Sequence, residues 1–173
     1  MKKRILVLLS VMMCLLMGAC SGGNLVTMDC GDFTMACPRS WKMNMREDAT
    51  VGEPIAQVYL PEQDNYTSNI VITVQGVGGL KAEDFTEAYA QNLVETSSES
   101  SVVTFTLNSC EHITLGSHAA VLIRYSGEKD GHNIVISEQL IPMADRLYRL
   151  TFNRLNDADA ESMDAAMASV AFK

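Results

Sequence analysis

Basic residues are scarce in this 173-residue chain: 13 Lys and Arg stand against 21 Asp and Glu, a formal charge of −8. Nucleic-acid recognition needs cations clustered against phosphates, so the balance argues against a nucleic-acid partner. It argues equally against a polybasic grip on anionic lipid. Its ordinary consequence is solubility. No Cys-x-x-Cys spacing occurs, which excludes a thioredoxin-type or zinc-ribbon arrangement. No Gly-x-Ser-x-Gly elbow occurs, and no Ser or Cys carries a nucleophile signature. There is no internal repeat and no coiled-coil heptad. The longest apolar run, Ile5 to Ala19, has 15 residues, whereas a membrane-spanning helix needs about 20.

That run is instead the middle of an export signal. Lys2, Lys3 and Arg4 precede it, and Leu16-Met17-Gly18-Ala19-Cys20 follows, leading into Ser21-Gly22-Gly23. The segment resembles a bacterial lipoprotein signal, with residues 1–19 removed and Cys20 lipidated as the mature N-terminus. Met17 departs from the commoner Leu, and Met17-Gly18-Ala19 also reads as an ordinary secretory cleavage site. Lipidated lipoproteins carry several acyl chains, and two or more anchor stably, so the resemblance implies a tether to the bilayer through Cys20. Ser21 then fits outer-membrane sorting, facing the periplasm, if the host is Gram-negative. Losing three cations with the signal deepens the formal charge to −11.

Residues 20–24 read as a short tether and 25–173 as one domain, long enough for a real core. Cys30, Cys37 and Cys110 remain, an odd number for an oxidising compartment. Leu25 to Cys30 and Phe33 to Cys37 alternate around Gly31-Asp32, a two-residue hairpin turn. That register displaces Cys37 from Cys30 by four residues along the strand, roughly 13 Å, beyond the reach of about 7 Å between Cα atoms that a disulfide allows. Any bridge is therefore expected to use Cys110. Pro38 ends the second strand, and Trp41 to Met45 resumes an extended pattern in which Trp41 should anchor the core. Arg46 to Pro54 is a polar loop.

Ile55 to Leu60 and Asn69 to Gln75 are strands, joined by a turn at Pro61 to Ser68. Ala82 to about Glu95 has helical periodicity, with Phe85, Ala88, Tyr89, Leu93 and Val94 as its stripe, and polar Thr96 to Ser101 ends it. Strands return at Val102 to Asn108, Cys110 to Leu115, Ala119 to Ser126, Asn133 to Ile141 and Arg146 to Asn153. Gly116-Ser117, Gly127 to Gly131 and Met143-Ala144-Asp145 connect them. Asn156 or Asp157 caps a last helix to about Ser169, whose apolar face is Met163, Ala166, Met167 and Val170. Strands do not alternate strictly with helices, so the fold class is α+β: a single domain with a largely antiparallel, twisted sheet packed by two main helices.

Several of these segments resemble the PsbP/DcrB-like fold, which includes many small bacterial envelope lipoproteins. The resemblance lies in Phe33 to Lys42, a strand-Pro-x-x-Trp opening; in the glycine turn and amphipathic helix from Gly78 to Leu93; in Ile113-Thr114-Leu115-Gly116 before the strand Ala119 to Tyr125; and in the ending Ser169-Val170-Ala171-Phe172. It implies a fold and an envelope setting, and no shared catalytic residues.

Candidate chemistry is sparse. Cys110, His112 and His118 are the best metal-like grouping, but in a two-residue hairpin at Gly116-Ser117 His118 faces away from Cys110 and His112, and zinc needs three or four convergent ligands. No metal site and no cofactor is expected. Gly76-Val77-Gly78-Gly79-Leu80-Lys81 follows a strand and precedes a helix but fits neither phosphate-loop pattern. Asn65-Tyr66-Thr67 matches a glycosylation sequon by accident. The methionines at 28, 35, 43 and 45 sit at strand spacing and serve the core better than a copper site. The resulting expectation is a non-catalytic envelope lipoprotein, not an enzyme, that docks an envelope protein or small ligand. The alternative is a ligand carrier or enzyme with a cleft between sheet and helix.

Overall fold

The structure, a computed structural model, describes residues 25–46, 50, 52–61, 67–76, 78–155 and 157–173. The expected signal and tether, Cys20, Asn65, Tyr66 and Asn156 lie outside them. The described elements run β1 Leu25–Asp29, β2 Phe33–Pro38, β3 Lys42–Met45, β4 Pro54–Tyr59, β5 Asn69–Gly76, α1 Glu87–Glu99, β6 Phe105–Leu115, β7 His118–Lys129, β8 His132–Met143, β9 Arg146–Arg154, α2 Ala160–Ala168 and β10 Ala171–Phe172. Single 3-10 turns at Ala82–Asp84 and Asp157–Asp159 precede the two helices.

Seven strands form one antiparallel sheet in the order β3-β4-β5-β9-β8-β7-β6, and β1-β2-β10 form a second, smaller sheet. The fold is the expected α+β single domain, with two sheets rather than one. The alternation along each central strand assigns side chains to opposite faces. On β7, Ala120 and Leu122 enter one core while Val121, Ile123 and Tyr125 enter another. The larger core lies under the small sheet and α2, where Phe33, Met35, Cys37, Trp41, Ile70, Ile72, Leu150 and Met163 are buried. The smaller lies under α1, around Phe85, Ala90, Val94, Ile123, Tyr125 and Leu140. All four apolar positions expected of α2 and its exit, Met163, Ala166, Met167 and Val170, are buried.

Three local expectations are corrected. The helix spans Glu87–Glu99 rather than 82–95, because Thr86 accepts the Tyr89 amide as N-cap. At the other end Ser97 and Ser98 donate their hydroxyls to the carbonyls of Leu93 and Val94, at 2.8 and 2.9 Å, so the polar run continues the helix. Its buried residues are Ala90 and Val94, while Ala88 and Tyr89 face outward. The segments 102–108 and 110–115 are one strand beginning at Phe105, with a bulge between Leu107 and Ser109 that shifts the register on β7; Val102 is 84% exposed and outside it. The connection placed at Gly127 to Gly131 shrinks to Asp130-Gly131, both at positive φ (53° and 78°), the primed geometry of a two-residue hairpin. Gly127 lies within β7, where a Cβ would sit 2.6 Å from Val103 Cγ1 and 2.7 Å from the Thr104 carbonyl oxygen.

The first hairpin has the expected register: Val26 faces Cys37, and the Cys30 amide donates to the Phe33 carbonyl at 2.9 Å. Cys30, Cys37 and Cys110 are all unpaired. Cys110 packs with the core under α1, on the opposite face from Cys30 and Cys37, so it does not join a bridge with either. Burial pushes the Cys30 thiol up to about 11 and the Cys37 thiol up to about 12.

Three outcomes are expected. Trp41 is 6% exposed in the larger core, and Trp41→Ala should cost about 3–5 kcal/mol in a denaturant melt, whereas exposed His112→Ala should cost under about 0.5 kcal/mol. In the folded 25–173 domain at pH 8, a thiol reagent should label Cys110 and leave Cys30 and Cys37 unlabelled until unfolding. Both buried thiols have raised folded pKa values, so their contribution is complete below the unfolded value near 9 and is lost as pH rises toward 11–12. Stability measured between pH 9 and 11 should therefore fall.

Candidate functional site

A cleft of about 420 Å³ where the small sheet meets the ends of β5 and β9 gathers both signs of charge. Its walls include Ile55, Val74, Gly76 and Tyr148, and its polar rim Asp32, Thr50, Asp145 and Arg146. The volume lies in the range of small-ligand sites.

Each polar group is positioned by backbone that the sequence dictates. Asp32 occupies the β1–β2 turn, where Gly31 supplies a φ of 86° and its amide donates to Asp29 Oδ1 at 3.0 Å. The far end of the chain then clasps this turn. The Lys173 amide donates to the Asp32 carbonyl at 3.0 Å, and Lys173 Nζ reaches Asp29 Oδ1 at 2.7 Å. That hydrogen bond, with the Gly31 amide, holds the exposed Asp29 carboxyl below its usual pKa. Arg146 begins β9 after the two-residue turn Ala144-Asp145. Ala144 takes φ 53°, a left-handed conformation that costs an L-residue about 1–2 kcal/mol, and the turn sets Asp145 and Arg146 side by side.

Tyr148 links the two halves. Its ring meets Phe172 at 5.3 Å and Phe33 at 6.4 Å, both edge-on, and Phe172 stacks at a tilt on Phe33 at 5.2 Å. Held this way, the hydroxyl donates to Asp32 Oδ2. Burial raises the Tyr148 pKa, and the bond to Asp32 raises it further, so the phenol stays a donor at neutral pH. The Arg146 guanidinium lies 3.8 Å from Asp32 Oδ2 and 4.0 Å from Asp145 Oδ1, both longer than a hydrogen bond, with 57% of its side chain in solvent. Hydrogen bonding with Tyr148 and then the nearby negative charges push its pKa up. The cleft therefore presents a cation between two anions, a fixed phenol and an apolar wall.

The groupings considered from the sequence lie elsewhere. Leu115 pairs with His118 and His112 with Val121, as expected. His118 rests on the Phe172 ring at 5.5 Å, on the face opposite Cys110. Among the described residues, no three His, Cys, Asp or Glu side chains are grouped to hold a metal. Of the glycine-rich segment, Gly76 lines the cleft. Beyond it, the Lys81 amide that an anion would use is taken by Asp84 Oδ2 at 2.8 Å.

A second polar group, missed in the sequence, lies between the sheet and α1. Glu138 is wholly buried on β8. Arg149 donates to it through Nε at 2.6 Å and Nη2 at 2.7 Å, and Tyr125 donates its hydroxyl at 2.6 Å. Burial, then the Glu138 charge, raises the Tyr125 pKa. Burial alone would lower the Arg149 pKa, but its bonds to Glu138 win and raise it. These groups satisfy one another under the helix, and their arrangement is structural. Breaking a buried pair by removing one partner costs about 3–5 kcal/mol. Because Arg149 keeps 30% of its side chain in solvent, Glu138→Ala should fall near the lower end, about 3 kcal/mol. Tyr125→Phe, which leaves the ion pair intact, should cost about 1.5 kcal/mol. Denaturant melts of the two variants check the order, and a Glu138→Ala cost below that of Tyr125→Phe would contradict it.

No family model matches the sequence, and no curated protein matches it. Solved structures do match. The cyanobacterial PsbP protein, CyanoP, of Synechocystis sp. PCC 6803 superposes with a TM-score of 0.64 at 12% identity, over 90% of this chain and 98% of that one. LpqN of Mycobacterium tuberculosis, described as involved in cell envelope biogenesis, gives 0.56 at 17% identity, over 88% and 87%. The Ran-binding protein Mog1p of Saccharomyces cerevisiae gives 0.54 at 10% identity, over 87% and 96%. At these identities the likeness is one of architecture: this chain has the PsbP-like fold.

Proposed function

We propose that this protein is a non-catalytic binding module of the bacterial cell envelope, held at a membrane surface by lipid on Cys20 and taking its ligand in the Asp32–Arg146–Tyr148 cleft. The location rests on the export-type segment Met1 to Gly23 and, if the host is Gram-negative, on Ser21 for the outer membrane facing the periplasm. LpqN, which shares the fold, is described as acting in envelope biogenesis, and an extracytoplasmic accessory role agrees with that. No helix among the described residues is long and apolar enough to cross a membrane.

The observation that carries the binding half is the cleft. Its charged groups face a hollow of ligand size beside apolar walls, and the Tyr148 hydroxyl is committed as a donor to Asp32. Such a site holds a partner by charge and shape. Labelled palmitate should enter the wild-type protein and not Cys20→Ser, and membrane fractions should contain only the former; wild-type protein that takes up no label contradicts the tether. For the cleft, a low-molecular-weight extract of the host envelope should raise the melting temperature of the wild-type domain by several degrees and leave Arg146→Gln unmoved, since ligand at 100 times its Kd stabilises by about 2.7 kcal/mol. An equal response from both proteins contradicts the cleft as the site.

A further inference from the structure

We infer that the cleft accommodates a free α-amino acid with an apolar side chain, its carboxylate on Arg146, its ammonium on Asp32, and its side chain on Ile55 and Val74. The inference rests on the cleft's being the binding site and adds the chemical class of the ligand.

The charges come first. A lone arginine in a cleft would suit any small anion, yet here Asp145 and Asp32 flank the guanidinium at 4.0 and 3.8 Å. Together the three groups carry one net negative charge, so a simple anion meets two carboxylates for one cation. A simple cation gains from the net negative charge but leaves the guanidinium without a ligand partner. A ligand bearing both signs a few ångströms apart gives the guanidinium and a carboxylate each a partner of opposite charge. In an α-amino acid the ammonium and carboxylate groups are attached to the same carbon, and their nitrogen and oxygens lie about 3 Å apart by standard bond lengths. That matches the spacing of opposite charges in the cleft. In a peptide the two termini are separated by at least one further residue, which this spacing does not fit.

The hydrogen-bonding capacity agrees. Arg146 approaches each carboxylate at a distance longer than a hydrogen bond, so beyond its hydrogen bonding with Tyr148 its five-donor fork keeps donors that suit a carboxylate. Asp32 Oδ2 already accepts from Tyr148, which fixes the carboxylate plane and leaves Asp32 Oδ1 for other donors. The remaining wall is aliphatic, from Ile55 and Val74 of β4 and β5, and the hollow of about 420 Å³ has room for a branched side chain. A charged side chain would bring a second unmatched charge to the apolar wall.

Calorimetric titration of the mature domain tests this, with L-leucine as the probe. N-acetyl-L-leucine, which lacks the ammonium, and L-leucinamide, which lacks the carboxylate, are the comparisons. L-leucine should bind at least tenfold more tightly than either. Arg146→Gln and Asp32→Asn should each weaken L-leucine at least tenfold. Both are conservative, and the amide oxygen introduced by Asp32→Asn still offers Tyr148 an acceptor, so a melt identical to wild type without ligand verifies folding. Equal binding of L-leucine and N-acetyl-L-leucine would make the cleft an anion site, and equal binding of L-leucinamide a cation site; either result overturns the inference. Absence of L-leucine binding in a domain whose melting temperature still responds to envelope extract through Arg146 overturns the ligand class and leaves the binding function standing. Absence of both responses overturns the two together.

Discussion

Phe172, one residue from the C-terminus, packs against Phe33 of the first hairpin and Tyr148 of the main sheet, and the position of Asp32 depends on that contact. Without it the β1–β2 hairpin would be a two-stranded ribbon, marginal by itself in water. With it, the two-residue strand β10 completes a third strand beside β2, Lys173 grips both sides of the Gly31 turn, and Tyr148 is wedged so that its hydroxyl meets Asp32. The cleft is thus assembled from the first hairpin, the start of β9 and the last residues of the chain. Local sequence places its charged groups on separate turns; long-range aromatic packing brings them to one place.

The main sheet explains why both chain ends are available for this task. Its central strands β7, β8 and β9 are buried on both faces, so each face needs a cover. One cover is α1, connected through the short 3-10 turn at Ala82–Asp84. The other is built from both termini, the small sheet with α2. Under α1 the sheet retains the Glu138–Arg149 pair and the Tyr125 hydroxyl. A buried ion pair of this kind contributes little net stability compared with apolar packing but is costly to break. It ties β7, β8 and β9 to one another side chain to side chain more than it strengthens the core.

Much of the architecture was legible in the sequence because its signals are local. Alternation located the strands, Gly31-Asp32 and Gly116-Ser117 set two hairpin registers, and Met163, Ala166, Met167 and Val170 announced the inner face of α2. Two of the misread segments share a cause: a side chain or bulge overrode the local pattern. Ser97 and Ser98 look like helix terminators, yet their hydroxyls are spent on carbonyls one turn back. Ser109 looks like a break between two strands, yet the chain runs on there as one strand past a bulge between Leu107 and Ser109. Glu138, in a strand buried on both sides, reads as an outward-facing polar residue until Arg149 and Tyr125 are seen around it.

The cleft was legible only in pieces. Asp32 reads as a turn former, Asp145 as part of another turn and Arg146 as a strand start, and each of those readings is true. What joins them is tertiary: the closing clasp between residues 171–173 and the first hairpin. Hydrogen exchange on a chain lacking residues 171–173 measures that dependence directly. The account predicts faster exchange across Cys30–Thr34 and around Tyr148, with the amides of β6, β7 and β8 as protected as in the full chain. Unchanged protection of the first hairpin after that deletion would contradict it.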